Sequence, residues 1–327
     1  MKTAWKFVLA LAAASAWSSA GAQVTWKLAS GYSEQAFQTV NLRRFAHDVA
    51  DATGGRLVIE VHANNSLARL ADIPARVEAG DIAAGETILS NLAAEIPVAG
   101  ADSVPFIVGS YDDARRLWQA QRPILDEALA RKGLVGLYAV AWPPQGLYSA
   151  RPVHGAADLK GAKMRTYNAA TQRIAEQMGA HPVDVMMVDL SNAMAAGRID
   201  CMITSGATGI DSRAWEQLKY FYDIHAWYPK NIVLVNQAAF AGLDPAVRQA
   251  VRQAAAAAEA RGWQMSQAAE ADSLAQLAAH GMHIDPVDFA FRSELRRFGE
   301  HFSVEWVRST GRAANDILIP YYTAASR

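Results

Sequence analysis

The chain has 327 residues, with 31 lysines and arginines against 32 acidic residues, 51% hydrophobic residues and a single cysteine, Cys201. That even charge balance offers nothing to attract nucleic acid or an anionic membrane. One thiol excludes an intrachain disulfide and a cysteine-type zinc site, and the length predicts two domains rather than one core.

Lys2 and Lys6 lead an apolar run over 7–17, and Ala20-Gly21-Ala22 gives the small-x-small pattern of a signal peptidase site. Residues 1–22 are therefore expected to be an export signal, with Gln23 as the mature start. The alternative is an N-terminal anchor, for which the run is short of the roughly 20 residues that span hydrocarbon. Residues 24–30 predict a first strand. Residues 40–52 have helical periodicity and end at Thr53-Gly54-Gly55, a stop signal. Residues 56–62 (RLVIEVH) alternate and are β-branched, a strand. Asp72 caps a short helix with Pro74 in its first turn. Further strands are expected over 133–140, 162–167, 183–185, 199–203 and 232–235, with a helix over 171–178 stopped by Gly179. Repeated strand–helix units predict an α/β fold with mostly parallel sheets.

From Asp244-Pro245 a helical pattern runs to His280, with Gly281 as its stop. A helix of ~36 residues is ~54 Å long, about three times the usual length. Either it spans both domains or it projects as a coiled coil; the missing a/d repeat favours spanning. Residues 293–326 predict an amphipathic helical tail.

No G-x-S-x-G elbow, H-E-x-x-H, P-loop or G-x-G-x-x-G occurs. No two histidines share a helix face at ligand spacing, and Cys201 falls on an apolar strand as a small filler. What remains is suited to binding. Arg165 ends a short apolar stretch at the carboxyl end of a strand, the usual ligand side of α/β sheets. Its guanidinium fork matches a carboxylate; the competing reading is an internal ion pair with Asp184 or Asp189. Three strand-end segments mix aromatics with neutral polar groups: Trp142-Pro143-Pro144-Gln145-Gly146-Leu147-Tyr148, Thr204-Ser205-Gly206 and Trp227-Tyr228-Pro229-Lys230-Asn231. Together they predict an apolar slot with one anion anchor, although each aromatic is equally suited to packing between domains.

The blocks TGGRLVIEVHANNSL, AGDIAAGE, DSVPFIVGSYDDARRL, DLKGAKMR, AGRID and PKNIVLVNQAAF, in this order, make the chain resemble the periplasmic solute-binding proteins of TRAP transporters (tripartite ATP-independent periplasmic transporters). The resemblance implies a two-lobed binding-protein fold, a long helix bracing both lobes, and a cleft that closes on an organic acid held by an arginine. The lysine-x-arginine pattern carries that role onto Arg165. Gln145 stands where sugar-acid members have a second arginine, and Cys201-Met202-Ile203-Thr204-Ser205 replaces a glutamine-glutamate-asparagine-proline run. Both departures point to a monocarboxylate with an apolar or aromatic body, such as a 2-oxo or 2-hydroxy acid, rather than a sugar acid or dicarboxylate. The segments ITSGATG and AWYPKN resemble a subgroup associated with such ligands.

The expected organisation is lobe I over 23–145, with 236–262 returning to it, and lobe II over 146–235, with 263–327 returning. The candidate ligand-binding residues are Arg165, Gln145, Trp142, Tyr148, Asn168, Thr204, Ser205, Tyr228, Asn231, Tyr32, Glu86 and Met187, with no cofactor or metal. The expected partners are a small-molecule carboxylate and the TRAP membrane permease. An exported enzyme using Glu86 or Asp189 as a base, or the binding subunit of an ATP-driven importer or sensor, are the competing readings.

Overall fold

The computed structural model describes residues 23–325; the expected export signal lies outside them. The first strand, β1 (Val24–Ala29), buries Trp26 and Leu28 on one face. Helix α1 (Phe37–Thr53) turns Leu42, Phe45 and Val49 toward that face. It stops at Gly54, whose φ of 58° is a left-handed cap suited to glycine. There follow β2 (Leu57–His62), α2 (Ile73–Glu78), β3 (Ala84–Ile88), two 3-10 turns and α3 (Tyr111–Arg131). The Ser110 hydroxyl caps α3 by accepting the Asp113 N–H at 3.1 Å. Strand β4 (Leu134–Ala141) closes this part of the chain.

The short link 142–144 carries the chain into a second group: β5 (Gln145–Ser149), β6 (Lys163–Thr166), α4 (Ala169–Gln177), β7 (His181–Asp184), α5 (Leu190–Ala195), β8 (Cys201–Ser205), α6 (Gly206–Asp211) and β9 (Tyr220–Tyr222). Residues 223–229 return it to β10 (Lys230–Asn236) and α7 (Gln237–Ala241). The chain ends in α8 (Pro245–Ala279), β11 (His283–Asp285), α9 (Phe289–Thr310) and α10 (Arg312–Ala325). Among the described residues, no helix is long and apolar enough to cross a membrane.

Two sheets result, ordered β2-β1-β3-β10-β4 and β11-β9-β5-β8-β6-β7. Each has apolar clusters packed against it, as a layered α/β lobe requires. The sheets are mixed rather than mostly parallel: β10 runs antiparallel to β3 and β4, and β5 antiparallel to β8 and β9. These are the two strands that arrive directly from the other lobe. They come without an intervening helix, so the rule that orients strand–helix–strand units does not act on them. Strands β3, β5, β9 and β11 and helices α3, α5, α6 and α7 have no counterpart among the predicted elements. β9 and β11 have three residues each, too short for a period to show, and Pro123 interrupts α3.

The lobe limits also differ from expectation. The second crossing precedes Lys230, so β10 belongs to the first sheet and not to lobe II. The tail is two helices broken at Gly311, which takes a φ of 70°. Phe291, Leu295 and Phe302 of α9 pack in lobe II, whereas Ile317 and Tyr321 of α10 pack with α3 in lobe I.

Helix α8 has 35 residues, about 52 Å at 1.5 Å per residue, and touches both lobes. Val247, Val251, Ala254, Ala255 and Ala258 pack in lobe I, and Leu277 packs in lobe II. Small residues let it approach closely. A Cβ on Gly262 would run into the Val140 methyls and come within 2.8 Å of Asn41 Nδ2. Gly262→Ala is therefore expected to lower stability by about 1–2 kcal/mol, since overpacking at ~1–3 kcal/mol outweighs a helix-propensity gain of ~1 kcal/mol. Urea unfolding measures it; a stabilised variant would mean the α8–β4 contact is looser than described.

Candidate functional site

A cavity of about 70 Å³ lies between the lobes, room for roughly five waters at ~10–15 Å³ each. Lobe I contributes Tyr32, Leu70, Ala71, Ile88, Asn91 and Trp142; lobe II contributes Gln145, Arg165, Tyr167, Met186, Met187, Thr204, Ser205 and Thr208, and Pro229 lies on the returning link.

Strand β6 has neighbours on both sides, β7 and β8, each parallel to it. Alternation sends Met164 into the lobe II core and Arg165 to the opposite face. Arg165 is only 4% exposed. Its Nε donates to the Val185 carbonyl at 2.9 Å, and its guanidinium carbon stands 4.7 Å from the centre of the Tyr167 ring. Burial pushes its pKa down to about 10, so it is cationic at neutral pH. Asp184 acts on it only from a distance, and it forms no ion pair with any described residue. The internal ion pair with Asp184 or Asp189 is not formed. A desolvated cation without a counter-ion is costly, and this one lines the cavity between the lobes.

Gln145 opens β5 and is held at both ends: its Nε2 donates to the Pro143 carbonyl at 2.9 Å, and its Oε1 receives the Tyr167 hydroxyl at 3.5 Å. Thr204 and Ser205 end β8. The Ser205 hydroxyl is committed to the start of α6, accepting the Thr208 N–H at 3.1 Å, while the Thr204 hydroxyl has no partner among the described residues. Trp142, Tyr32 and Phe37 form an aromatic wall, with Trp142 5.1 Å from each of the other two rings. Met187 packs against this wall from the other lobe.

Five candidates lie outside the cavity wall. Asn231 and Glu86 stand behind it. Asn231 Oδ1 accepts the Tyr32 hydroxyl at 3.0 Å and the Trp142 indole N–H at 2.9 Å, and its Nδ2 donates to Glu86 at 3.0 Å. Glu86 also accepts the Ser30 hydroxyl at 2.7 Å, and burial raises its pKa to about 7. Tyr148 is buried beneath Ser205 and donates to its carbonyl at 3.1 Å. Tyr228 turns away from the slot, edge-on to Tyr111, with its hydroxyl 3.0 Å from His225 Nδ1; it is a packing aromatic. Asn168 caps α4 by accepting the Thr171 N–H at 2.8 Å and reaches across the lobes, where its Nδ2 donates to the Ser90 hydroxyl at 2.8 Å.

Tyr167, Met186, Thr208, Pro229, Asn91, Leu70, Ala71 and Ile88 line the cavity without being among the candidates drawn from sequence. Tyr167 had a signal, since it lies two residues after Arg165 and strand alternation puts both on one side. The lobe I residues had none, because only the folded topology brings them to Arg165.

The profile of a family described as bacterial extracellular solute-binding protein, family 7 (DctP), matches residues 28–302. The chain belongs to this family. Among solved structures, this solute-binding protein is similar to DctP6 of Bordetella pertussis, an extracytoplasmic solute receptor binding pyroglutamic acid. The two are 40% identical, the match covers 92% of this chain and all of that one, and the TM-score is 0.90. A marine metagenome TRAP solute-binding protein specific for pyroglutamate is 34% identical at the same TM-score, over 93% of this chain and all of that one. Among curated relatives, the 2,3-diketo-L-gulonate-binding periplasmic protein YiaO of Escherichia coli is 27% identical over 271 residues, 81% of this chain and 80% of YiaO. The solute-binding protein thus has the two-lobed fold of TRAP receptors, and its cavity lies where the lobes meet.

Proposed function

We propose that the protein binds a compact monocarboxylate without an ammonium group, of the pyroglutamate class, between its lobes and delivers it to a TRAP membrane permease after export to the periplasm. The observation that carries this reading is the buried, unpaired guanidinium of Arg165 facing the slot. Among the described residues, no aspartate or glutamate lines the cavity, and Arg165 is the one charged residue that does. A ligand ammonium would be buried without a partner, as would a second carboxylate. Relatives at 34–40% identity that bind pyroglutamate support the same class. The family points away from catalysis, and neither Glu86 nor Asp189 lines the slot as a base would.

Titration calorimetry on the purified mature chain tests the reading. Pyroglutamate is expected to bind at micromolar Kd or tighter, about 8 kcal/mol. Proline, glutamate and glutarate are expected to bind at least about 100-fold more weakly, because each buries an unpaired charge. Comparable affinity for glutamate, or chemical turnover of pyroglutamate, would overturn it.

A further inference from the structure

The amide of Asn231 has only one workable orientation. The Trp142 indole N–H can only donate, and it lies 2.9 Å from Asn231 Oδ1; on the other side Nδ2 lies 3.0 Å from a Glu86 oxygen. Exchanging the two amide atoms would set donor against donor and oxygen against carboxylate. Asn231 Oδ1 therefore faces the cavity wall, and the Tyr32 hydroxyl spends its single hydrogen on it at 3.0 Å. The Ser30 hydroxyl, 2.7 Å from the second Glu86 oxygen, completes the chain. With the Glu86 carboxyl ionised, every hydrogen in it runs toward Glu86.

Tyr32 lines the cavity, and its hydroxyl feels the field of Arg165. With its hydrogen committed, that oxygen can offer a ligand only lone pairs. Resting on the function proposed above, we propose that Tyr32, polarised through Asn231 and Glu86, is a specificity residue that reads a hydrogen-bond donor next to the ligand carboxylate. In pyroglutamate that donor is the lactam N–H. A lactone of the same shape would set its ring oxygen against the phenol oxygen, acceptor against acceptor.

The test compares pyroglutamate with its lactone isostere, 5-oxotetrahydrofuran-2-carboxylate, by calorimetry. The wild-type protein is expected to prefer the lactam by at least about tenfold, the scale of one buried hydrogen bond left unmade. Tyr32→Phe keeps the ring but removes the acceptor, and should bring the two acids within about threefold of each other. Equal wild-type affinity for both, which needs no variant to observe, would overturn the role of Tyr32 while leaving the carboxylate site intact. Binding of neither acid would overturn the function itself, and this inference with it. A Tyr32→Phe protein that folds, binds and keeps the full preference would also refute it.

Discussion

Arg165→Ala is expected to weaken binding of the carboxylate ligand by about 3–5 kcal/mol, since truncation leaves the partner's buried charge unpaired. That is a loss of roughly 10²- to 10³-fold or more in Kd, enough to take micromolar binding out of range. Arg165→Lys should retain only part of the affinity, because a point charge cannot reproduce two parallel bonds. The same residue makes an opposite prediction for the empty protein. Among the described residues, its buried guanidinium has one hydrogen bond, to a carbonyl, and no acidic partner. Arg165→Met, which fills similar space without charge, should leave ligand-free stability unchanged or raised. Calorimetry and urea unfolding together check the pair. A binding loss below tenfold for Arg165→Ala would mean that the anchor lies elsewhere.

Trp263→Ala carries the largest expected effect on stability, a loss of about 3–5 kcal/mol. The side chain is 1% exposed on α8 and reaches into lobe I, where its indole N–H donates to the Ala139 carbonyl at 3.0 Å. The Arg115 guanidinium stands 4.5 Å from its ring centre, and Tyr111 packs edge-on at 6.4 Å. Alanine leaves a void and an underused carbonyl, and its better helix propensity returns only ~0.5 kcal/mol or so. Because Trp263 does not line the cavity, ligand affinity of the folded variant should change little. A loss below about 1 kcal/mol on denaturant unfolding would show that α8 is held to lobe I by other contacts.

What was legible in the sequence was mainly what chain-local rules control. The limits of α1 and α8 follow from the stop at Gly54 and from Asp244-Pro245, and Arg165 was placed by the end of its strand. The sheets were less legible, because β5 and β10 take their direction from a passage between lobes that no local pattern encodes. The site divided along the same line. Residues of the predicted strand-end segments, Gln145, Arg165, Thr204 and Ser205, come together around the slot. Tyr228, equally aromatic and three residues from Asn231, points elsewhere because its neighbours Tyr111 and His225 claim it. Asn231 and Glu86 sit one layer behind the wall, a depth that sequence order does not express.

Helix α8, fastened to one lobe through Trp263 and to the other near Leu277, acts as a splint. Two bodies pinned to one stiff rod cannot part freely, because separation must break its packing on one of them. If the two bodies do rock, that remote joint sets part of the share of molecules shut before any guest arrives, and apparent affinity scales with that share. A change of side chain there could tighten or loosen capture without touching the guest at all.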